Sequence, residues 1–182
     1  MSVRPNAVRG VRVGLVSDTH GLLRPEALAA LVGSDAIVHA GDIGSADVLE
    51  ALARIAPVHA VRGNNDRGAW ASALPETLTI EIAARRIYML HDLGTLGFDP
   101  RAMNIDVVVS GHSHRPNCET RHGVLFVNPG SAGPRRFRLP VSVAHLVLGA
   151  RRVDAAIVTL DVALPSPKRP ARAATLPRGS SP

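Results

Sequence analysis

The feature that most constrains the fold is a series of short apolar segments, each of which ends in small polar residues. Residues 11–17 and 36–40 are the first two of these segments, and a helical pattern follows each, at 24–33 and at about 46–55. The first helical segment begins with Pro and Glu and ends at Gly, as helix termini prefer. A third strand ends near Asn64. Strands that alternate with helices at this spacing predict βαβ units and a largely parallel first sheet.

After residue 75 the sequence predicts strands with little helix between them. The segments "TLTIEIA" and "RIYMLH" are typical of adjacent strands joined by a short "ARR" turn, and residues 94–104 are typical of a short helix or turn. "DVVVSGHSH" and "GVLFVNPGS" predict two more strands, and "VSVAHLVL" and "RVDAAIVTL" predict a hairpin across Gly149 and Ala150. The chain is therefore expected to be an α/β protein, with residues 1–162 as a single domain.

The basic excess of the chain lies mostly in residues 163–182. Of the formal net charge of +6, four positive charges fall in this segment, which contains no acid: Lys168, Arg169, Arg172 and Arg178. The segment is rich in Pro, Ser and Arg and has few apolar residues to bury, so we expect it to be disordered. A solubilising or non-specific basic tail is favoured over a nucleic-acid-binding arm, because aromatic residues make up only 3% of the chain and offer few surfaces for base stacking.

Cysteine usage and hydropathy predict a cytoplasmic protein. Cys118 is the single cysteine, so it cannot form an internal disulfide, and it has no partner for a zinc ribbon or a redox pair. The apolar run after Arg4, Arg9 and Arg12 is short and ends at Asp18, so it lacks the hydrophobic core of a secretory signal. No stretch approaches the roughly 20 apolar residues of a transmembrane helix, and we expect no association with a membrane.

Polar side chains at the ends of five strands predict a metal site. They are Asp18 and His20, Asp42, Asn64, His91, and His112 with His114. Ligands of open α/β sheets bind beyond the carboxyl ends of the strands, where residues distant in sequence meet. Carboxylate, imidazole and amide oxygen ligands suit Mn²⁺, Fe²⁺ or Zn²⁺. Each residue alone could cap a turn or lie exposed in a loop, but their joint placement at strand ends favours a metal site.

The number of candidate ligands favours two ions over one. Seven side chains exceed the four ligands of a tetrahedral site. In a two-metal site Asp42 would bridge ions ~3.5 to 4 Å apart, which can clamp a phosphoryl group and lower the pKa of a shared water. Without metal the same pocket would crowd carboxylates and imidazoles together, so we expect the metal-free centre to be weakly stable.

Six segments follow one another in a fixed order between about residue 11 and residue 160: "DTH", "HAGDIGS", "GNND", "YMLH", "SGHSHRP" and "NPGS". In this order they resemble the calcineurin-like metallophosphoesterase superfamily, and in particular the small bacterial and archaeal phosphodiesterases of the YfcE type. The resemblance implies a four-layer αββα sandwich of two mixed β-sheets flanked by helices. It also implies a metal held by Asp18, His20, Asp42 and His114, and a second held by Asp42, Asn64, His91 and His112. Mn²⁺ is the expected ion, with Fe²⁺, Zn²⁺ or Ni²⁺ as alternatives.

Two positions depart from the family pattern. Asn65 stands where many members of the superfamily have a histidine that can protonate the leaving group, and where YfcE-type enzymes often have cysteine; asparagine has no titratable proton near neutral pH. Asn65 and its neighbour Asp66 are the candidate catalytic residues, and Arg135, with Asn64, is a candidate substrate contact. Asp92 stands where the family usually has glycine, and it could either crowd the metal or supply an outer contact.

The combined features predict an enzyme that hydrolyses a small-molecule phosphate ester, foremost a diester. A metal-bridging hydroxide would attack phosphorus in line with the leaving oxygen. Because Asn65 cannot act as a general acid, leaving groups of low pKa are expected. A protein serine/threonine phosphatase is disfavoured, since "GDIGSAD" stands in place of the arginine-bearing "GDxxDR" segment of those enzymes. Nucleotide or polyphosphate hydrolysis stays open, and the resemblance implies a homodimer or a higher oligomer.

A non-catalytic, protein-binding scaffold is the rival from another functional class. The small subunit of retromer resembles this fold but acts through protein contacts, with a degraded metal site. Every ligand position is filled in this chain, which favours an enzyme.

Overall fold

Ten strands and three α-helices form within residues 10–162, the part of the chain that the computed structural model describes. In chain order the elements are β1 (Val11–Val16), α1 (Pro25–Leu31), β2 (Ala36–His39), α2 (Ala46–Ala53), β3 (Val58–Ala60), α3 (Ala69–Ser72), β4 (Thr77–Ile82), β5 (Arg85–Leu90), 3-10 helices at Leu93–Thr95 and Pro100–Met103, β6 (Val107–Val109), β7 (Asn117–Arg121), β8 (Val124–Asn128), β9 (Ser142–Leu148) and β10 (Val153–Thr159). The expected tail at 163–182 lies outside the described residues.

The strands form two five-stranded sheets, and both are mixed. The first has the order β10-β9-β1-β2-β3, with β1, β2 and β3 parallel and β9 antiparallel to both its neighbours. The second has the order β4-β5-β6-β8-β7, with β5, β6 and β8 parallel and antiparallel strands at both edges. The expected hairpin of β9 and β10 and the expected pairing of β4 with β5 are both confirmed. In each sheet the three parallel strands place their carboxyl ends at one edge.

The main core lies between the sheets, because alternate side chains of a strand point to opposite faces. In β1, Val13 and Leu15 face the second sheet, while Val16 packs on the helical side. In β5, Ile87 and Met89 face the first sheet in the same way. These side chains are aliphatic and fully buried, as the scarcity of aromatic residues predicts.

The outer faces of the sheets are covered to different extents. Helices α1 and α2 pack on the first sheet through Leu31 and Leu52, and α1 approaches so closely that a Cβ on Gly14 would lie 2.6 Å from a methyl carbon of Leu31. The second sheet is covered by the 3-10 segments, where Leu93 and Leu96 pack against a small apolar cluster. The fold is therefore the expected helix-flanked sandwich of two mixed sheets, with 3-10 helices as its fourth layer.

Local details differ from the sequence-based expectation. Strand β3 ends at Ala60, before Asn64, because the following residues leave the sheet to form the site. The edge strand β7 lacks apolar alternation and is mostly exposed, so no periodic signal marked it. The turn between β4 and β5 consists of Ala83 and Ala84, both with positive φ, although hairpin turns of this kind favour Asn and Gly. None of the helices in residues 10–162 combines the length and the apolar character that crossing a bilayer requires.

Candidate metal centre

The predicted metal ligands lie on loops at the carboxyl ends of parallel strands from both sheets. Asp18 and His20 follow β1, and Asp42 follows β2. On the second sheet His91 follows β5, and the segment with His112 and His114 follows β6. Because the two sheets are stacked, these loops face one another at one end of the sandwich.

Five of these ligands form an inner group: Asp18, His20, Asp42, His91 and His114. Asp18 is shared by two clusters whose ligand atoms all lie within 4.8 Å of one another, one with His20 and His114 and the other with Asp42 and His91. Nε2 of His114 lies 3.3 Å from Oδ1 of Asp18, and Nε2 of His91 lies 3.4 Å from Oδ2 of Asp42. Nε2 of His20 lies 3.4 Å from Nε2 of His114. Asp18 is fully buried, so the inner group is centred on a carboxylate shielded from solvent.

Asn64 and His112 form an outer pair beside the inner group. Both are exposed, and Nδ1 of His112 lies 3.0 Å from Oδ1 of Asn64. The ring of His112 packs edge to face against His91, with 5.2 Å between the ring centres. In the structure the cluster of Asp42 and His91 includes Asp18 and does not include His112. The assignment of Asn64 and His112 to a second ion therefore stays a prediction.

The donor atoms of the inner group have the features of metal ligands. Among the described residues, four buried side-chain atoms have no hydrogen-bond partner, and two of them are ligand atoms of the inner group, Oδ1 of Asp18 and Nε2 of His91. Buried polar atoms are normally paired, so this concentration is unusual. The separations of 3.3 to 3.4 Å between donor atoms match two ligands that share one ion at bond lengths of roughly 2.0 to 2.2 Å. A divalent cation therefore fits these residues.

A backbone carbonyl orients the ligand atom of His91. Its Nδ1 lies 2.7 Å from the carbonyl oxygen of Ala40 and donates a hydrogen bond to it. The Nε2 atom is therefore the one that faces Asp42. Metal-binding histidines commonly donate their second ring N–H to a carbonyl or a carboxylate, which fixes the ring and raises its basicity.

Backbone strain is concentrated at the same residues. Five of the seven predicted ligands have a left-handed backbone, with φ between 48° and 65°: Asp18, His20, Asp42, His112 and His114. This conformation costs a residue other than glycine about 1 kcal/mol, and such strain clusters at functional sites. The loops therefore hold these side chains in place at a cost to stability, which supports a functional role.

The two carboxyl groups of the inner group differ in their pKa values. Burial raises the pKa of Asp18 to about 6. Burial also acts to raise the pKa of Asp42, but His91 and both N–H donors of Asn65 outweigh it and lower that pKa below its usual range. Burial, together with the charge of Arg136, lowers the pKa of His114 to about 4. The metal-free cluster thus keeps Asp42 ionised and makes Asp18 easier to protonate than an ordinary aspartate, and a bound cation would favour the ionised form of both.

Asn65 and Asp66, the predicted catalytic residues, have different surroundings. The backbone N–H and the side-chain Nδ2 of Asn65 donate to the two oxygens of Asp42, at 2.8 and 2.6 Å. The carboxylate of Asp66 is buried and accepts from the backbone N–H groups of Gly44 and Gly63, at 2.8 and 2.7 Å. Asn65 therefore positions a predicted ligand, and Asp66 ties together the loops that follow β2 and β3.

Close backbone contact explains why glycine precedes two of the ligand segments. A Cβ on Gly63 would lie 2.2 Å from Oδ1 of Asp42, and a Cβ on Gly111 would lie 2.8 Å from Oδ2 of Asp18. Any other residue at either position would push the loop away from the carboxylate. The glycines of "GNND" and "SGHSH" therefore allow the loops to meet.

A buried histidine connects the first two ligand loops. Nδ1 of His39 accepts a hydrogen bond from the backbone N–H of Gly41 at 3.2 Å, so the proton of the neutral ring is on Nε2. Nε2 then donates to Oγ1 of Thr19 at 2.9 Å, and Thr19 donates to the carbonyl of Ile43 at 2.8 Å. Burial lowers the pKa of His39 to about 3. His39 therefore has a structural role, because its ring holds the loops of Thr19 and Gly41 together.

The "NPGS" segment supports the ligand loops from behind. Nδ2 of Asn128 donates to the carbonyl of Gly111 at 2.6 Å, and Oγ of Ser131 donates to the carbonyl of Asp18 at 2.9 Å. Oδ1 of Asn128 accepts from the backbone N–H of Gly130 at 2.9 Å, which stabilises the turn. This segment therefore positions the ligands through their backbone.

An open cavity of about 330 Å³ lies over the centre. It is lined by Asp42, Asn64, Asn65, His112, Ser113, His114, Arg136, Phe137 and Leu139. The arginine in this lining is Arg136, the neighbour of the predicted contact Arg135. Two adjacent arginines in a loop carry no periodic signal that tells which one faces the site, so the sequence could not distinguish them.

Asp92 makes an outer contact and does not crowd the centre. Its Oδ1 accepts from the backbone N–H of Gly94 at 2.8 Å and caps the 3-10 helix Leu93–Thr95. Its Oδ2 lies 4.0 Å from Nε2 of His112, on the side of the ring away from Asn64. The departure from the family glycine is therefore accommodated beside the outer pair.

Comparisons with known proteins agree with this architecture. Residues 11–150 match the model of the calcineurin-like phosphoesterase superfamily domain. A probable metallophosphoesterase from Methanothermobacter thermautotrophicus is 34% identical over 158 residues, which cover 80% of this chain and 91% of the relative.

Solved structures share the fold at lower identity. An archaeal phosphodiesterase has a TM-score of 0.68 at 22% identity and covers 82% of this chain and 99% of its own. Vacuolar protein sorting 29 from Cryptosporidium parvum has a TM-score of 0.67 at 21% identity and covers 82% of this chain and 97% of its own. The sequence match, the two-sheet sandwich and the cluster of ligands agree, and the chain belongs to the calcineurin-like phosphoesterase superfamily.

Proposed function

We propose that the protein is a metal-dependent phosphodiesterase that acts on a small molecule. The observation that carries this proposal is the inner group: buried carboxylates and imidazoles with unpaired donor atoms, beneath an open cavity. Two divalent ions bound by such ligands supply charge that offsets the phosphoryl oxygens and lowers the pKa of water. We propose Mn²⁺ as the ion, with the ligands assigned as the sequence motifs imply.

Other residues of this chain position the metal ligands and the substrate. Asn65 holds both oxygens of Asp42, so the carboxylate keeps one orientation during turnover. Arg136 lines the cavity and supplies a positive charge toward which a phosphate oxygen can be oriented. Water attacks phosphorus in line with the leaving oxygen, and preorganised charges stabilise the transition state without rearrangement.

The shape of the surroundings favours a diester over a monoester. The cavity over the centre shares Asn64 and His112 with a second cavity of about 350 Å³, which extends past His91 and Asp92 to Arg62. A phosphodiester has two ester arms, and this arrangement gives each arm its own space on one side of the outer pair. A monoester would leave one of the two cavities without a substrate group.

The chemistry of Asn65 determines which leaving groups are favoured. Its side chain donates to Asp42 and has no proton to give to a leaving alkoxide near neutral pH. Substrates whose leaving group is stable as an anion, such as a phenolate, are therefore favoured. Replacing Asn65 with histidine is expected to raise the rate for alkyl leaving groups more than for aryl ones.

The test combines metal titration with a panel of esters. Purified protein is stripped of metal, reloaded with Mn²⁺ and assayed against aryl and alkyl monoesters and diesters. We expect turnover only with added metal, and foremost with aryl diesters. Equal rates for aryl and alkyl leaving groups, with the chemical step limiting, would remove the argument from Asn65; a preference for monoesters would remove the argument from the two cavities.

A protein-binding scaffold is the second candidate, because the fold likeness to vacuolar protein sorting 29 is as close as the likeness to the archaeal phosphodiesterase. The filled ligand positions favour the enzyme. The same titration separates the two functions, since a scaffold would bind metal without turning over any ester of the panel.

A further inference from the structure

Phe137 has an unusual environment for an aromatic side chain. It is 93% exposed, whereas the next most exposed large hydrophobic residue among the described residues, Val32, is 63% exposed. Its backbone is also left-handed, with a φ of 53°. A large aromatic residue loses the benefit of burial in such a position and pays for the backbone conformation as well. Neither the exposed ring nor the left-handed backbone stabilises the fold, which indicates that this side chain has a role in binding.

The loop that carries Phe137 is anchored at its base and extends to the metal centre. Nε of Arg24 donates to the carbonyl of Gly133 at 3.0 Å, and the backbone N–H of Leu139 donates to the carbonyl of Arg136 at 3.1 Å. Between these points Arg136 and Phe137 both line the cavity over the centre, together with Asn65 and His114.

We propose that Phe137 is an aromatic subsite of the active centre, which stacks against a flat ring on the ester arm that stays on the phosphate. This inference rests on the proposed function and specifies its substrate class: a phosphodiester in which a planar aromatic group lies close to phosphorus. With the phosphate between the centre and Arg136, the retained arm extends along the loop and reaches the exposed face of Phe137. An aryl group and a nucleobase share this chemistry.

The arrangement separates two kinds of specificity. The leaving arm is selected by the pKa of its alcohol, because Asn65 supplies no proton. The retained arm does not change its charge during the reaction, so it is selected by contact area and ring stacking alone. Phe137 should therefore affect substrates according to the retained arm, whatever the leaving group.

The test holds the leaving group constant and changes the retained arm. Bis(p-nitrophenyl) phosphate and methyl p-nitrophenyl phosphate both release p-nitrophenolate, but one retains an aryl arm and the other a methyl group. We expect Phe137→Ala to lower the ratio of kcat/KM between them by about threefold to tenfold, as the loss of an aromatic pair predicts. The loss should lie mainly in KM, and Phe137→Tyr should keep the wild-type ratio.

Two further experiments identify which kind of ring binds to Phe137 and exclude indirect effects of the substitution. The p-nitrophenyl ester of a nucleoside 5′-phosphate reports whether a nucleobase uses the subsite. If Phe137→Ala lowers its kcat/KM as much as that of the aryl diester, the subsite accepts nucleosides. If kcat/KM falls for the aryl diester alone, the subsite accepts small aryl esters only. Arg138→Ala is the matched control, because this exposed residue of the same loop is absent from the cavity lining. It should leave the ratio unchanged.

Inhibition gives a second readout that does not depend on the chemical step. Phenylphosphonate should inhibit the wild type more strongly than methylphosphonate, and Phe137→Ala should reduce that difference by the same factor as the kinetic ratio. If Phe137→Ala turns over both diesters and changes neither ratio, the subsite is refuted while the proposed function stands. If the wild type, loaded with Mn²⁺, turns over none of these esters, the proposed function fails and the subsite with it.

Discussion

The inner group and the outer pair of the candidate metal centre are built in different ways. The inner carboxylates Asp18 and Asp42 are buried, and hydrogen bonds from neighbouring loops hold them. In the outer pair, Asn64 and His112 are exposed and contact each other, and His112 also packs against His91. The inner group is thus fixed by folding, whereas the outer side chains can adjust to an ion or a substrate.

The difference shows which part of the centre destabilises the metal-free fold. The inner group combines a carboxylate with a raised pKa and buried donor atoms without partners, and both features destabilise the metal-free fold. The outer pair is exposed to solvent, so it does not destabilise the metal-free fold in this way. Metal binding should therefore stabilise the protein mainly through the inner group, and substitutions in the two parts should differ in kind as well as in size.

The largest expected effect is the loss of activity on Asp18→Asn. In the proposed assignment Asp18 holds the first ion, and in the structure it also lies in the cluster of Asp42 and His91, so its replacement should weaken the binding of both ions. Changing an outer-shell partner of a metal typically costs 10- to 100-fold in affinity or activity, and loss of this inner ligand should exceed about 100-fold. His112→Ala should cost less, because it removes one exposed ligand and leaves the inner group intact. Metal content by elemental analysis and kcat/KM at saturating Mn²⁺ measure both.

An equal loss for the two variants would contradict the comparison, since the inner group and the outer pair would then contribute alike. The matched variant Asp99→Asn replaces an exposed aspartate that caps a 3-10 helix elsewhere, and it should retain full metal content.

The next effect concerns stability without metal. The pKa of Asp18 is about 6 in the folded state against 3.8 for an ordinary aspartate, so ionising it opposes folding. This opposition is absent below about pH 4 and complete above about pH 6. In metal-free protein Asp18→Asn should therefore be more stable than the wild type by about 3 kcal/mol near neutral pH, with the difference shrinking as the pH falls.

Urea unfolding in the presence of a chelator, at several pH values, measures this difference. With saturating Mn²⁺ the order of the two proteins should reverse, because the wild type gains binding energy that the variant lacks. A variant less stable than the wild type at neutral pH without metal would mean that the Asp18 carboxylate is compensated by interactions other than an ion.

The same division determines how much the sequence could predict. Asp18, Asp42 and His91 were found because each follows an apolar strand, and parallel strands bring their carboxyl ends to one edge. These ligand positions are set by local patterns that a single segment carries, whereas the sandwich was implied by the resemblance of the ordered motifs to a known family.

The features that the sequence did not predict depend on contacts between segments. The hydrogen bonds of Asp66 to two backbone N–H groups and the position of Arg136 in the cavity arise only when loops from different strands meet. Strand β7 was missed because pairing with β8 holds an exposed, polar segment that shows no alternation. The sequence thus predicted which side chains meet at the site, and predicted much less about the residues that position them.

The smallest expected effect concerns Asp92 beside the outer pair. Its Oδ2 lies 4.0 Å from Nε2 of His112, and both side chains are close to half exposed, so their interaction is partly screened by solvent. Exposed charge pairs are worth about 0.2 to 1 kcal/mol, which corresponds to a loss of about one-and-a-half- to fivefold in affinity for an ion at the outer pair. Calorimetric titration of the metal-free protein with Mn²⁺ should resolve it.

Two substitutions separate the charge of Asp92 from its capping role. Asp92→Asn keeps an oxygen that can accept from the backbone N–H of Gly94 and removes the charge, whereas Asp92→Gly removes both and restores the family residue. If the carboxylate acts on His112, both variants lose the same affinity for Mn²⁺, and only Asp92→Gly loses stability through the uncapped 3-10 helix. Affinity that falls in Asp92→Gly alone would assign the effect to the cap, and the outer pair would then depend on the shape of its loop rather than on charge.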